Sequence, residues 1–187
     1  MTALFISDLH LSATRPAVAT LFKRFLAGPA REVQSLYILG DLFEYWAGDD
    51  HLSDPFNASL AAALDACVSA GTRIFFMHGN RDFLVGDEFA DAAQLTLIDD
   101  PWRVTLDDGP AILSHGDLLC TSDAEYLAFR ARVRTSTWSR EFLAKPLTER
   151  IHQIETMRAQ SEAGKRVKPM EIMDVTPAAV QAFFLDH

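Results

Sequence analysis

The chain is 187 residues long, 49% hydrophobic and 23% charged, a composition that suits one soluble globular domain and excludes whole-chain disorder. Its cysteines, Cys67 and Cys120, are too few for a disulfide framework and lack metal-type spacing, so both read as buried free thiols of a reducing compartment. The net charge of −9 is uneven: residues 130–168 hold 10 of the 17 Lys and Arg against 4 acids, a local balance of +6 against −15 elsewhere. That basic stretch fits either a solvated helix surface or a surface for phosphate or anionic lipid headgroups.

In chain order, MTALFISDLH has no basic start and too short an apolar run for a signal peptide. No segment approaches the roughly 20 apolar residues of a membrane span. ALFIS before Asp8 reads as a strand, Pro16 to Ala27 as a helix, and SLYIL before Gly40-Asp41 as a second strand. Asn57 to Ala70 reads as a helix closed by Gly71, RIFFM before His78-Gly79-Asn80 as a third strand, Val85 to Ala93 as a helix, and AILS before His115-Gly116-Asp117 as a fourth strand. Runs this short and continuous suit strands buried on both faces, and their alternation with helices predicts an α/β layered fold.

From Asp123 the pattern becomes a long helical stretch, AEYLAFRARVRTSTWSREFLA, interrupted at Lys145-Pro146 and resumed as LTERIHQIETMRAQSEAG. Leu147, Ile151 and Ile154 form one apolar stripe on the second part, so residues 123–169 are expected to be a helical hairpin inserted into a core of 1–122 and 170–187. Thr176 and Pro177 then open a last helix.

All the predicted strands end in polar clusters, where open α/β sheets collect ligands. Asp8 and His10, two apart in an extended segment, would share a side and could grip one ion. Chance could supply one such pair. Asp41 in GDLFE, Asn80 in GNRD and His115 in SHGD repeat it at the later strand ends. Asp, His and Asn without thiolate suit borderline-hard divalent ions such as Mn²⁺, Fe²⁺ or Zn²⁺. Asp41, lying between the other pairs in sequence, is the candidate to bridge two ions, and two such ions clamp an in-line displacement at phosphorus. Glu44, Asp82 and Asp117 read as residues that orient ligands or cap turns. His51, His78 and His152 read as structural, and Asp49 and Asp50 as a solvated turn.

DLH, GDLFE, GNRD and HGD, in this order and spacing, resemble the calcineurin-like metallophosphoesterases. More finely, FISDLHLS, YILGDLFEYWAGDD, MHGNRDFLVG, LSHGDLLCTSD and EIMDVTP are similar to the bacterial UDP-2,3-diacylglucosamine diphosphatases of lipid A biosynthesis. The resemblance implies a four-layer αββα metallophosphoesterase sandwich with a helical hairpin lid for acyl chains, and a dinuclear Mn²⁺ enzyme that hydrolyses UDP-2,3-diacylglucosamine to UMP and 2,3-diacylglucosamine 1-phosphate. It implies peripheral association with the cytoplasmic face of the inner membrane. Nucleic acid is not an expected partner, because the basic residues are interleaved with few aromatics beyond Trp138 and the acidic remainder of the chain would repel a polyanion.

Carried over by residue, the resemblance implies that Asp8 and His10 hold one ion, Asn80 and His115 the other, and Asp41 bridges. Asp41, Asn80, His115 and Arg81 are the implied catalytic residues. Asn80, Arg81, Asp123, Tyr126, Arg158, Ser161 and Lys168 are the implied substrate contacts. The family carries a further Gly-His-Thr-His stretch that completes both coordination shells; the terminal His187 does not match it, so by count each ion keeps three protein ligands here. A generic phosphoesterase acting on a soluble substrate and a non-catalytic ligand-binding form are the alternative readings.

Overall fold

In the computed structural model, which describes residues 2–165, 172 and 174–187, the apolar runs pair side by side and in parallel. β1 (Ala3–Ile6), β2 (Ser35–Ile38), β3 (Arg73–Met77) and β4 (Thr96–Ile98) form a four-stranded sheet in that order. The register aligns Phe5, Tyr37 and Phe75 in a row whose rings stack at 5.3 and 4.8 Å. Side chains alternate across a strand, so Leu36, Ile38, Ile74 and Phe76 point the other way and are fully buried. On that side Phe76 meets Phe89 of α3 (Asp87–Ala93) edge-on at 6.4 Å.

α1 (Pro16–Ala27) begins with proline in its first turn and buries Ala19, Phe22 and Leu26, a spacing of three and four that makes one apolar face. α2 (Pro55–Ser69) starts before the expected Asn57 because the Asp54 carboxylate accepts from the Phe56 and Asn57 amides at 2.8 and 3.4 Å. It stops at Gly71, whose φ of +111° is the left-handed conformation that ends helices. α3 begins at Asp87 rather than Val85, since Gly86 is extended.

Three strand expectations change. The AILS run is β6 (Gly109–Leu113), an antiparallel partner of β5 (Trp102–Leu106), and not a member of the parallel sheet. The fourth parallel strand is the three-residue β4, too short to show a pattern. β1 is an edge strand with Phe5 41% exposed, so only β2 and the inner part of β3 are buried on both faces. The β5–β6 hairpin covers part of the aromatic face: Leu113 joins Tyr37, Met77 and Ile98 in one buried cluster, with Trp102 and Val104 packed against it.

Residues up to His115 form one compact unit and residues from Gly116 a second. The second holds α4 (Ala124–Val133), α5 (Ser136–Leu143), α6 (Leu147–Lys165) and a last helix, Pro177–Asp186. The expected continuous helix breaks at Arg134–Thr135, where the Thr135 hydroxyl accepts from the Trp138 amide and caps α5. The Leu147, Ile151 and Ile154 stripe is half-buried, and the most enclosed residue beside it is Arg150, whose Nε donates to the Lys145 carbonyl at 2.9 Å. Among the described residues no helix is long and apolar enough to cross a membrane. Both cysteines are free; Cys67 is buried, whereas Cys120 is only half-buried.

Candidate metal centre

The segments that leave β1, β2 and β3 carry the site, and backbone hydrogen bonds continue between the first two beyond the strands. Asp8 N donates to Gly40 O, His10 N to Asp41 O and Leu11 N to Leu42 O, at 3.1, 3.0 and 2.8 Å. Asp8, His10 and Asp41 each offer a ligand atom, and these atoms lie within 4.8 Å of one another. Asp8 and His10 meet, but not by the extended geometry expected of them. Both are left-handed, with φ of +58° and +48°, and Asp41 has φ of +54°. Such conformations cost of order 1 kcal/mol or more for residues with a Cβ and persist only where the surroundings enforce them.

The surroundings here are dense. Gly79 packs so closely on Asp41 that a Cβ there would overlap the Asp41 Oδ1 and backbone N. Asp41 is 2% exposed. Its Oδ1 accepts from Arg81 N at 2.8 Å and faces His115 Nε2 at 3.8 Å, while its Oδ2 faces His10 Nε2 at 3.9 Å. One carboxylate oxygen therefore serves each side, the disposition a bridging ligand requires. Asp82, fully buried, accepts from the amides of Asp41, Leu42, Phe43 and Gly79 at 3.2, 2.7, 3.3 and 2.9 Å.

His115 is oriented by its far nitrogen. A carbonyl can only accept, so Nδ1 donates to Leu39 O at 2.9 Å, and in the tautomer with one N–H the Nε2 lone pair faces Asn80 Oδ1 at 3.1 Å and Asp41. Electron-rich atoms converge there as a divalent cation requires. On the other side His10 Nδ1 is buried with no hydrogen-bond partner among the described residues. Burial pulls the His10 imidazole below its ordinary pKa against the nearby Asp41 charge, favouring the neutral form that binds metals. Burial first, then Asp82, lift the Asp41 carboxyl from 3.8 to about 6; His115, the Arg81 amide and His10 oppose the rise. A cation bound there would reverse that balance. The donor set of carboxylate, imidazole and amide oxygen suits a divalent ion: Asp8, His10 and Asp41 are close enough to hold one together, and Asn80 and His115 adjoin Asp41 on its other side.

Residues 1–157 match the family described as calcineurin-like phosphoesterase. This chain belongs to the calcineurin-like phosphoesterases. Among the relatives of this phosphoesterase, the UDP-2,3-diacylglucosamine hydrolase of Aromatoleum aromaticum is 50% identical over 100% of this chain and 76% of its own length. That of Chromohalobacter salexigens is 46% identical over 100% of this chain and 76% of its own. The enzyme of Klebsiella pneumoniae is 49% identical over 96% and 75%. The phosphoesterase fold is the α/β arrangement described above, and the chain is a metal-dependent hydrolase that uses divalent cations.

Arg81, implied as a phosphate contact, is held by Glu44 through a 3.2 Å ion pair on the same segment that carries Asn80. The other implied substrate contacts lie in the second unit. Asp123 accepts from the Tyr126 amide at 3.0 Å as the cap of α4. The Tyr126 hydroxyl donates to Asp117 Oδ2 at 2.5 Å, an oxygen that also accepts from Arg130 Nε at 2.7 Å. Burial lowers the Arg158 pKa below the usual guanidinium range while Glu162 opposes the fall, and Ser161 is exposed. Lys168 lies outside the described residues.

The sequence reading missed one structural anchor. Asp49 is not a solvated turn: its Oδ1 accepts from Trp46 Nε1 and Gly86 N at 3.0 and 2.9 Å, and its Oδ2 from Glu88 N and Phe89 N at 3.0 and 3.3 Å. It caps α3 from 37 residues upstream of Gly86, a pairing that no local spacing could reveal. His51, buried against Tyr45 and Trp46, and His78, whose Nε2 meets Val85 O at 2.7 Å, have structural surroundings as expected.

Proposed function

We propose that this chain hydrolyses the pyrophosphate bond of UDP-2,3-diacylglucosamine, releasing UMP and 2,3-diacylglucosamine 1-phosphate, with two Mn²⁺ ions as cofactors. The observation that carries the reading is 50% identity, over the whole chain, to a UDP-2,3-diacylglucosamine hydrolase. Asp8 and His10 hold one ion, Asn80 and His115 the other, and Asp41 both. When bound, the ions neutralise charge on the phosphoryl oxygens and activate water for in-line attack. Arg81 forks onto phosphate oxygens, and Glu44 aims its guanidinium. The Leu39 carbonyl fixes the His115 tautomer, keeping Nε2 turned toward Asn80 and Asp41.

Residues 123–169 serve as a lid, in which Asp123, Tyr126, Arg158, Ser161 and Lys168 contact the glucosamine and diphosphate. The basic balance of residues 130–168 supports a diphosphate ligand and attachment at the cytoplasmic face of the inner membrane. The deciding experiment compares turnover of UDP-2,3-diacylglucosamine with that of soluble nucleotide diphosphate esters under excess Mn²⁺. The lipid substrate is expected to be cleaved faster and to release UMP; equal rates would reject the lipid assignment.

Arg81→Lys keeps the charge but removes the fork. A charge-assisted hydrogen bond is worth about 1.5–3 kcal/mol, so kcat/KM should fall by about 10- to 100-fold with Mn²⁺ affinity unchanged. Steady-state kinetics beside a metal titration checks both halves.

A further inference from the structure

We infer that Asp82 is a positioning residue for the metal centre: its carboxylate, by accepting backbone amides from two segments at once, fixes the bridging Asp41 relative to Asn80. The inference rests on the reading of those two residues as metal ligands. Asp82 is 0% exposed, and a buried carboxylate is tolerated only when its lone pairs are filled by strong donors. Among the described residues, every donor it has is a backbone N–H. Oδ1 takes Gly79 N at 2.9 Å and Asp41 N at 3.2 Å; Oδ2 takes Leu42 N at 2.7 Å and Phe43 N at 3.3 Å. Three of these amides belong to the segment after β2, and the fourth belongs to the segment after β3 that carries Asn80.

The position of the bonds matters more than their number. Successive amides at 41, 42 and 43 turn toward one point because Gly40 and Asp41 are both left-handed, with φ of +89° and +54°. Asp82 fills that concavity with its carboxyl oxygens from inside the protein. Gly79, held from the same carboxylate, is thereby pressed against Asp41, where no Cβ would fit. Without the carboxylate, the left-handed turn at Asp41 loses the acceptor of its own amide, and the tie between the two segments is left to the Arg81 N bond to Asp41 Oδ1 and the Trp46 N bond to Arg81 O, a looser hold on the distances among Asp41, Asn80 and His115. Residues that only orient metal ligands are commonly worth 10- to 100-fold in metal affinity.

Asp49 provides the matched control. It too is a carboxylate that accepts backbone amides across 37 to 40 residues, but at the start of α3 and with no bond to a candidate ligand. The experiment compares Asp82→Asn and Asp49→Asn in this chain by Mn²⁺ calorimetry and by thermal melts in chelator. Both variants are expected to lower Tm, whereas Asp82→Asn alone should weaken Mn²⁺ binding, by at least 10-fold. Mn²⁺ affinity within threefold of the parent in Asp82→Asn, or an equal loss in Asp49→Asn, overturns the inference. Should Asp82→Asn fail to fold, amide hydrogen exchange in the unaltered, metal-free chain decides: the Asp41, Leu42, Phe43 and Gly79 amides are expected to be protected together, and free exchange at them overturns the inference. A parent chain that binds no Mn²⁺ overturns it as well. Failure to cleave UDP-2,3-diacylglucosamine with Mn²⁺ binding intact rejects only the substrate assignment.

Discussion

Asp41→Asn is expected to stabilise the metal-free chain at pH 7 by about 2 to 3 kcal/mol while removing its tight divalent-metal binding. The stabilisation follows from the raised pKa of about 6 against 3.8 in the unfolded chain, a gap of roughly two units at about 1.4 kcal/mol per unit. Because the folded-state value is the higher one, the protonated carboxyl favours folding fully below pH 3.8. That contribution is lost as pH rises through about 6. Asparagine has no proton to lose. It keeps an Oδ1 acceptor for the Arg81 amide and tolerates the left-handed backbone.

Thermal denaturation in chelator from pH 4 to pH 8 should therefore show the parent losing stability relative to the variant as pH rises. With Mn²⁺ present the order inverts, since the ion binds only the ionised parent carboxylate, and its affinity should climb as pH rises toward 6. A metal-free variant less stable than the parent at pH 7 would show that burial does not strain Asp41.

The second large effect comes from a residue with no side chain. Gly79→Ala would drive a Cβ into Asp41 Oδ1 and Asp41 N, neither of which can move without breaking the bonds to Arg81 N and Asp82. Overpacking of this kind costs about 1–3 kcal/mol, and the displacement falls on the Asp41 carboxylate, the proposed bridge, so kcat/KM should drop by more than about 100-fold. Gly71→Ala is the comparison: φ is +111° but no atom lies within 4 Å of the added Cβ. That substitution should cost about 1 kcal/mol of backbone strain and leave Mn²⁺ affinity unchanged. Equal loss of metal binding in both variants would mean that general destabilisation, and not the close approach at Gly79, governs the site.

Much of this candidate site is legible in the sequence because each candidate ligand follows an apolar run, and strand ends are where an α/β sheet gathers polar residues. Asp8, His10, Asp41, Asn80 and His115 announce themselves in that way. Their geometry does not. Asp8 and His10 meet for a reason other than their i, i+2 spacing, since both are left-handed, a conformation that Asp and His enter more readily than most residues but that spacing does not reveal. His115 follows a strand of the hairpin rather than of the parallel sheet, because β4 is too short to display a period. The anchors are harder still. Asp49 looks like half of an exposed Asp-Asp turn until α3 is folded against it, and its role exists only in contacts 37 or more residues apart.

The same arrangement has a consequence for how the protein comes to exist. Asp8, Asp41, Asn80 and His115 are separated by 33, 39 and 35 residues, and all three pairings of the sheet are parallel. Asp8, Asp41 and Asn80, which follow parallel strands, thus meet only after crossovers close, which makes assembly slow, and of the candidate ligands only Asp8 and His10 are near neighbours in the open chain. An ion that binds the finished arrangement and scarcely the open chain pulls the equilibrium toward the native state by mass action. A divalent ion bound there would therefore stabilise the folded chain with or without substrate, as the last stitch of its folding.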